Sequence, residues 1–337
     1  MNRVEAHGNP VEVHGGALDA MRRLFPDAPR PWVDLSTGIN PWPWPARESH
    51  FEGLHRLPTQ EDYTRCIAAM SAAFGSPEHA ILAAPGSELL IRLLPTVIAP
   101  RRVAVLAPSY GDHARVWRAA GCDVVETPDP LAEAVSVDAV VICNPNNPDG
   151  RRFEPDEVEA AHRRLSECGG WLVIDEAFAD LEPNLSWARR GGSDHLLVLR
   201  SIGKFYGLAG LRLGALIAPV EVRKRMQARL GVWSVSTPAL AVGAAAYSDR
   251  TWQTATRRRL AEARRHLDEL LQERQCHVVG GTDLFRYVEV ADAHELWQQL
   301  ARRGIYVRRF PWSQRHLRIG LPGNADEARR LREALSP

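Results

Sequence analysis

The run Ser201-Ile-Gly-Lys-Phe-Tyr-Gly-Leu-Ala-Gly-Leu-Arg-Leu-Gly214 puts Lys204 between an apolar, strand-like segment and a glycine-rich turn. A hydroxyl stands three residues before it at Ser201, and a guanidinium eight residues after it at Arg212. A lysine amine condenses with aldehydes to form a Schiff base. A serine hydroxyl together with a planar, bidentate arginine suits a phosphate. An aldehyde that carries a phosphate describes pyridoxal 5'-phosphate (PLP), a cofactor that imposes recognisable binding groups on its protein. An ordinary surface turn also holds lysines near glycines, so the reading depends on what stands at the other strand ends.

Four further segments supply those ends. Pro85-Gly86-Ser87-Glu88 is a glycine turn that opens a helix, and the free N–H groups and positive dipole end of a helix start suit a phosphate. Its plainer reading is a strand–turn–helix connection with Ser87 as the cap. Pro108-Ser-Tyr110-Gly111 sends an aromatic ring out of a strand end, either to stack on a pyridine or simply to fill a turn. Asn144-Pro-Asn-Asn147-Pro-Asp-Gly150 follows a buried strand. Asn-Pro pairs initiate turns, and this one also brings the Asn147 amide to the sheet edge. Asp175 terminates the apolar run Trp171-Leu-Val-Ile. There it is placed to salt-bridge a pyridinium nitrogen, or else to cap a helix or face water.

The elements that must position these residues alternate along the chain. Helical patterns cover residues 62–74, 88–98 (with Pro95 as an interruption), 113–120 and 155–167. Short, almost wholly apolar runs cover 80–84, 102–107, 123–126, 139–143, 171–174, 196–199 and 213–218. Such strands between helices predict an α/β fold with a mostly parallel sheet covered on both faces, where ligands bind beyond the carboxyl ends of the strands. Residues 48–235 form this large domain. A smaller α+β domain, 236–337, follows, with a long helix from 237 to 275 broken near Ser248-Asp249. It continues with a strand at 284–290, a helix at 293–303 and a strand pair at 306–308 and 317–319. Residues 1–47 hold the dense run Pro41-Trp-Pro-Trp-Pro45 and read as an extended arm rather than a helix, contributing to the small domain and to the site.

Composition narrows the class without naming it. The 337 residues carry 42 basic and 41 acidic side chains, a balance that gives no reason to expect nucleic acid or a membrane surface. Cys66, Cys122, Cys143, Cys168 and Cys276 form no Cys-x-x-Cys pair and no disulfide framework, as in a reducing compartment. The N-terminus has no apolar signal core, and the longest apolar stretches fall far short of a bilayer span. The expectation is a soluble, cytoplasmic protein without a metal.

Glycine turn, aromatic, Asn-Pro, strand-end Asp and Ser-x-x-Lys with a downstream Arg follow one another in an order that resembles the aspartate-aminotransferase superfamily, fold type I, over nearly the whole chain. The resemblance implies that Lys204 joins the cofactor aldehyde and that Asp175 pairs with its ring nitrogen. It further implies that Asn147 bonds its phenolic oxygen, that Tyr110 stacks on its ring, and that Gly86, Ser87, Glu88, Ser201 and Arg212 hold its phosphate. Arg318, in Leu317-Arg-Ile-Gly320, matches the arginine that takes the substrate α-carboxylate. A homodimer is implied as well.

Within the superfamily the chain is similar to the histidinol-phosphate aminotransferase branch, and in particular to the threonine-phosphate decarboxylases of cobalamin biosynthesis. His14-Gly15-Gly16, Asp34-Leu-Ser-Thr-Gly-Ile-Asn40-Pro41, Asp175-Glu-Ala-Phe178-Ala-Asp180, Leu199 to Gly210 and Val232-Trp-Ser-Val235 carry this resemblance. Two departures stand out. Phe178 replaces the tyrosine that aminotransferases of the branch usually place there, and Leu57-Pro58 lacks their tyrosine that reaches the cofactor phosphate across the dimer. The implied reaction is decarboxylation of L-threonine O-3-phosphate, with His14, Asn40 and Arg308 on the substrate phosphate. A histidinol-phosphate aminotransferase, a related transaminase and a PLP-fold binding protein without turnover remain the alternatives.

Overall fold

The structure, a computed structural model, describes residues 15–336. In chain order its helices are α1 (Leu18–Leu24), α2 (Gln60–Phe74), α3 (Ser87–Ile98), α4 (Asp112–Ala119), α5 (Pro155–Glu167), α6 (Val220–Leu230), α7 (Thr237–Ser248), α8 (Arg250–Glu273), α9 (Ala293–Arg302) and α10 (Ala325–Ala334). Its strands are β1 (Val33–Leu35), β2 (Ile81–Ala84), β3 (Arg102–Leu106), β4 (Asp123–Thr127), β5 (Ala139–Cys143), β6 (Trp171–Asp175), β7 (Leu196–Ser201), β8 (Gly214–Ile217), β9 (His277–Thr282), β10 (Phe285–Glu289), β11 (Ile305–Arg309) and β12 (His316–Gly320).

Local chemistry sets the helix ends. Thr59 caps α2 by accepting from the Asp62 N–H, the Asp62 carboxylate returns to the Thr59 N–H, and Gly75 closes the helix in the left-handed region. Cys66, Met70 and Phe74 then recur on one buried face. Pro95 does not interrupt α3. The helix runs through it to Ile98, because the proline lies in the last turn and shares the buried face of Leu90, Ile91 and Leu94. One missing backbone donor there is offset by apolar burial. The expected break in the long C-terminal helix falls at Asp249, which ends α7 and caps α8 by accepting from the Trp252 N–H.

The large sheet has seven strands in the order β2-β8-β7-β6-β5-β3-β4. All neighbours are parallel except β8, which runs antiparallel to both β2 and β7. Strands β2, β5 and β8 are buried at every residue, the signature of a sheet covered on both faces. The reversal of β8 matters for the site. Its first residue, Gly214, pairs with Ala84 at the end of β2 and Ser201 at the end of β7. Arg212, just before β8, therefore reaches the edge where the parallel strands end.

A second sheet of five strands, β1-β11-β12-β10-β9, holds the C-terminal elements. The opening segment is not wholly extended. Leu18–Leu24 contains neither proline nor glycine and forms α1, with Met21 buried, ahead of Pro26. The segment then enters the small sheet as β1, paired in parallel with β11 through Val33 and Ile305. No helix of the described residues is long and apolar enough to cross a membrane.

Candidate active site

Both sheets and the opening segment line one cavity of about 1030 Å³. Its floor is the carboxyl edge of the large sheet, with Asp175 from β6, Ser201 from β7, and Asn147 and Tyr110 from the turns after β5 and β3. Its roof comes from the small sheet through Arg308 and Arg318, and Gly15 and Thr37 close one side. Lys204 stands between floor and roof, its ammonium nitrogen 5.8 Å from the centre of the Phe178 ring.

Electrostatics make Lys204 a usable nucleophile. Burial, and after it the charge of Arg318, outweigh the attraction of Asp175 and lower the amine to about 8. At neutral pH an appreciable fraction is thus the free base that attacks an aldehyde.

Asp175 is fixed through both oxygens. One lies 3.0 Å from His113 Nε2, and the other accepts from the Ala177 N–H at 3.0 Å. His113 is fully enclosed. Burial works against its charged form, but Cys143 and Asp175 outweigh burial and raise its pKa. Sequence reasoning missed this histidine. The signal was its position three residues after Tyr110 on the first turn of α4, where its ring meets the tyrosine edge-to-face at 5.9 Å. His113, Cys143 and Asp175 bring three potential ligand atoms within 4.8 Å of one another, but the third member serves the cavity floor.

At the start of α3, the helix cap is Gly86 with φ of 87°, and no side chain caps the first turn, which leaves its N–H groups for an anion. A Cβ at position 86 would stand 2.8 Å from the Arg212 guanidinium. Only glycine lets the cation lie against this turn. Arg212 itself holds a left-handed backbone, φ 54°, which is uncommon for a branched or long side chain and frequent at ligand sites. Ser201 Oγ accepts from the Gly203 N–H at 3.2 Å and keeps its own proton to donate. The arrangement fits a phosphate between the α3 start, Ser201 and Arg212. The Glu88 carboxylate turns aside, 2.9 Å from the Tyr110 hydroxyl and 2.7 Å from Arg92, so only its backbone faces that cradle.

On the roof, Arg308 and Arg318 are direct partners across β11 and β12. Arg318 donates to Asn147 Oδ1 and, at 2.6 Å, to the Ser36 carbonyl. It is buried, its Nε has no hydrogen-bond partner, and among the described residues no carboxylate pairs with it. Burial first, then repulsion from Arg308, lower it to about 9. It is a buried cation with no carboxylate partner among the described residues.

One expected residue stands elsewhere, and one is not placed. His14 lies outside the described residues. Asn40 does not line the cavity: its amide donates to the Phe205 carbonyl at 2.8 Å, and its oxygen accepts from the Trp42 N–H at 2.9 Å. With its backbone N–H also on the Lys204 carbonyl, Asn40 braces the lysine turn from behind and is withdrawn as a phosphate ligand. Phe178 is buried edge-to-face on Phe285, ring centres 5.3 Å apart, and brings no hydroxyl to the cavity.

Known proteins resemble this chain in sequence and in fold. The family model for class I and II aminotransferases matches residues 32–335. Threonine-phosphate decarboxylase of Pseudomonas aeruginosa is 39% identical over 317 residues, covering 94% of this chain and 94% of its own. The protein of the same name from Sinorhizobium sp is 39% identical over 326 residues, covering 96% of this chain and 97% of its own. The crystal structure of a histidinol-phosphate aminotransferase from Clostridium acetobutylicum superposes with a TM-score of 0.80 at 20% identity, over 90% of this chain and 98% of that one, a likeness of fold alone. With matches that run over almost its whole length, the chain belongs to the class I and II aminotransferase family.

Proposed function

We propose that this protein is a PLP-dependent decarboxylase that converts L-threonine O-3-phosphate into (R)-1-amino-2-propanol O-phosphate and carbon dioxide, a step of cobalamin biosynthesis. The observation that carries the reading is the adjacent pair Arg308 and Arg318 on the cavity roof. Two cations side by side suit a substrate with two anionic groups, here a carboxylate and a phosphate ester.

When bound, PLP supplies the aldehyde that takes the substrate amine and the ring that accepts the electron pair left as carbon dioxide departs. Asp175, held by His113 and the Ala177 N–H, keeps a proton on the ring nitrogen. Asn147 would serve the cofactor's phenolic oxygen, and Tyr110 would lie against its ring. Arg318 would hold the substrate carboxylate and Arg308 its phosphate, and two anchors on one substrate would fix its orientation in the cavity. Lys204, lowered to about 8, returns a proton to Cα in place of the lost carboxylate. Phe178 offers no hydroxyl to compete with Asn147, which fits an enzyme that does not complete a transamination.

The reading includes a homodimer in the cytoplasm, where free cysteines persist. Leu54, Leu57, Val232 and Trp233 are 71%, 59%, 68% and 59% exposed. Their two segments touch, since Thr237 donates to the Arg56 carbonyl at 3.0 Å. A joint apolar surface of this kind suits a second copy, to be read from the sedimentation mass. The activity test is incubation of the PLP-loaded protein with L-threonine O-3-phosphate. Carbon dioxide and aminopropanol phosphate in equal amounts are expected. Glutamate formed from histidinol phosphate and 2-oxoglutarate, without carbon dioxide, would replace the decarboxylase with a transaminase.

A further inference from the structure

A second cavity, of about 230 Å³, shares no lining residue with the first. It lies where the end of α2, the turns after Phe178 and the first turns of α8 meet. Four arginines line it, Arg189, Arg200, Arg250 and Arg257, against one carboxylate, Asp180.

The charges there do not cancel. Arg200 binds Glu176 at 2.8 Å and also Asp180, so a single guanidinium takes up both nearby carboxylates. Among the described residues no carboxylate lies within ion-pair distance of Arg189, Arg250 or Arg257. Arg257 donates to the Asp180 carbonyl at 2.7 Å and Arg250 to the Ala72 carbonyl, contacts that orient the cations without neutralising them. Burial lowers Arg257, and the charges of Arg200 and Arg250 lower it further against the pull of Asp180. Arg200 is 3% exposed, and its Nε has no partner. A half-enclosed pocket that gathers cations at a cost in repulsion is built for an anion. Four guanidiniums against Asp180 and Glu176 leave two positive charges over, the charge of one phosphate dianion. The volume is several times the roughly 30 Å³ share of one water, enough for a phosphate and a small organic group.

We propose that this cavity is a second anion site, which binds a small phosphate dianion, either the free ion or a monoester. Its walls adjoin the catalytic residues in the chain: Arg200 precedes Ser201, Tyr206 lies two residues after Lys204, and Glu176, bound to the wall residue Arg200, follows Asp175. An occupant therefore braces the two segments that carry the Schiff-base lysine and its acidic partner.

The test is calorimetric titration of the PLP-loaded protein with inorganic phosphate, and separately with methyl phosphate, at constant ionic strength. Because phosphate also enters the catalytic cavity, the titration is repeated on Arg308→Gln, which keeps the second site, and on the double variant Arg189→Gln/Arg250→Gln. The double variant is expected to lose one saturable binding event or weaken it at least about tenfold, with KM for threonine phosphate unchanged. Arg308→Gln is expected to retain that event. Tighter binding of methyl phosphate identifies a monoester as the occupant, and tighter binding of phosphate the free ion. Should the double variant not fold, Arg189→Gln, at an exposed position, carries the same comparison. The proposal is overturned if the parent binds no phosphate saturably, or if only Arg308→Gln abolishes binding. Neither result touches the decarboxylase reading, which rests on turnover of threonine phosphate.

Discussion

Two arginines, Arg200 and Arg318, are buried to nearly the same degree, 3% and 7% exposed, yet they differ in everything that surrounds the charge. Arg200, on β7 of the large sheet, is gripped by Glu176 and Asp180. Burial disfavours its charge, but the two carboxylates more than compensate and raise its pKa. Arg318, on β12 of the small sheet, has an amide oxygen and a carbonyl for partners and another arginine as its neighbour, and its pKa falls to about 9. A buried cation whose counter-charge is built in serves the fold. One with no carboxylate partner among the described residues is, in the function proposed above, kept for a ligand's anion, and the two roles are told apart by partners rather than by depth.

The comparison breaks most visibly at Arg200. Arg200→Met strands two buried carboxylates, and loss of one side of such a network costs about 3–5 kcal/mol, to be read from urea unfolding of the PLP-loaded protein. The deficit should shrink as pH falls, because burial already favours the protonated forms of Glu176 and Asp180 and protonation removes the stranded charge. A loss under about 1 kcal/mol at neutral pH would mean that the triad behaves as an exposed pair. Arg318→Gln is expected to do the reverse. A base whose pKa drops on folding opposes folding wherever it is protonated, fully below its folded value of about 9 and less as pH rises through it. Neutralising it should therefore leave stability unchanged or improved. Turnover should suffer instead, with kcat/KM for threonine phosphate reduced by about 2–5 kcal/mol, roughly 30- to 4,000-fold. Reduced stability with normal turnover would falsify the division of labour.

A smaller effect is expected where the floor lacks a group. Phe178→Tyr adds one neutral hydroxyl beside Asn147, worth about 1 kcal/mol, or roughly fivefold in a rate ratio. Pyridoxamine 5'-phosphate formed per turnover should rise by that order. An unchanged ratio would leave the choice of reaction wholly to the arginines of the roof.

Much of the floor was legible in the sequence because its strands are short, almost wholly apolar and end in residues with chemistry: Asp175, Ser201, and Asn147 after Cys143. The roof was legible only through resemblance, since nothing in the local pattern distinguishes Arg308 or Arg318 from surface charges. What stayed hidden depends on long-range pairing. The reversal of β8, which delivers Arg212, has no periodicity of its own. Strand β9, His277–Thr282, contains two glycines and only a short apolar pair, so its residues carry no strand signal. Asn40 was read as a ligand of the substrate phosphate, but its carboxamide is spent on the Phe205 carbonyl and the Trp42 N–H, and a motif does not show which atoms a carboxamide spends on backbone. The arginines of the second cavity come from three separate stretches of chain and form no motif at all.

The subtlest test of the comparison is whether the unpaired roof cation also tunes the floor. Arg318 is the second cause, after burial, of the low Lys204 value of about 8, and Asp175 opposes both. Only the neutral amine attacks an aldehyde, so capture of PLP by cofactor-free protein should slow as pH falls below about 8, following a single proton. Taking Arg318 away removes one force that expels the lysine proton and leaves Asp175 to hold it. The amine then titrates at a higher pH, and at neutral pH its free-base fraction shrinks. In Arg318→Gln the whole pH–rate curve for the growth of the lysine-bound PLP absorbance should move to higher pH, while its plateau at alkaline pH stays the same. Arg200→Met, which alters a cation outside the catalytic cavity, should leave the curve where it was. Equal displacement in both variants would mean that the lysine responds to general loosening of the fold and not to the charge above it.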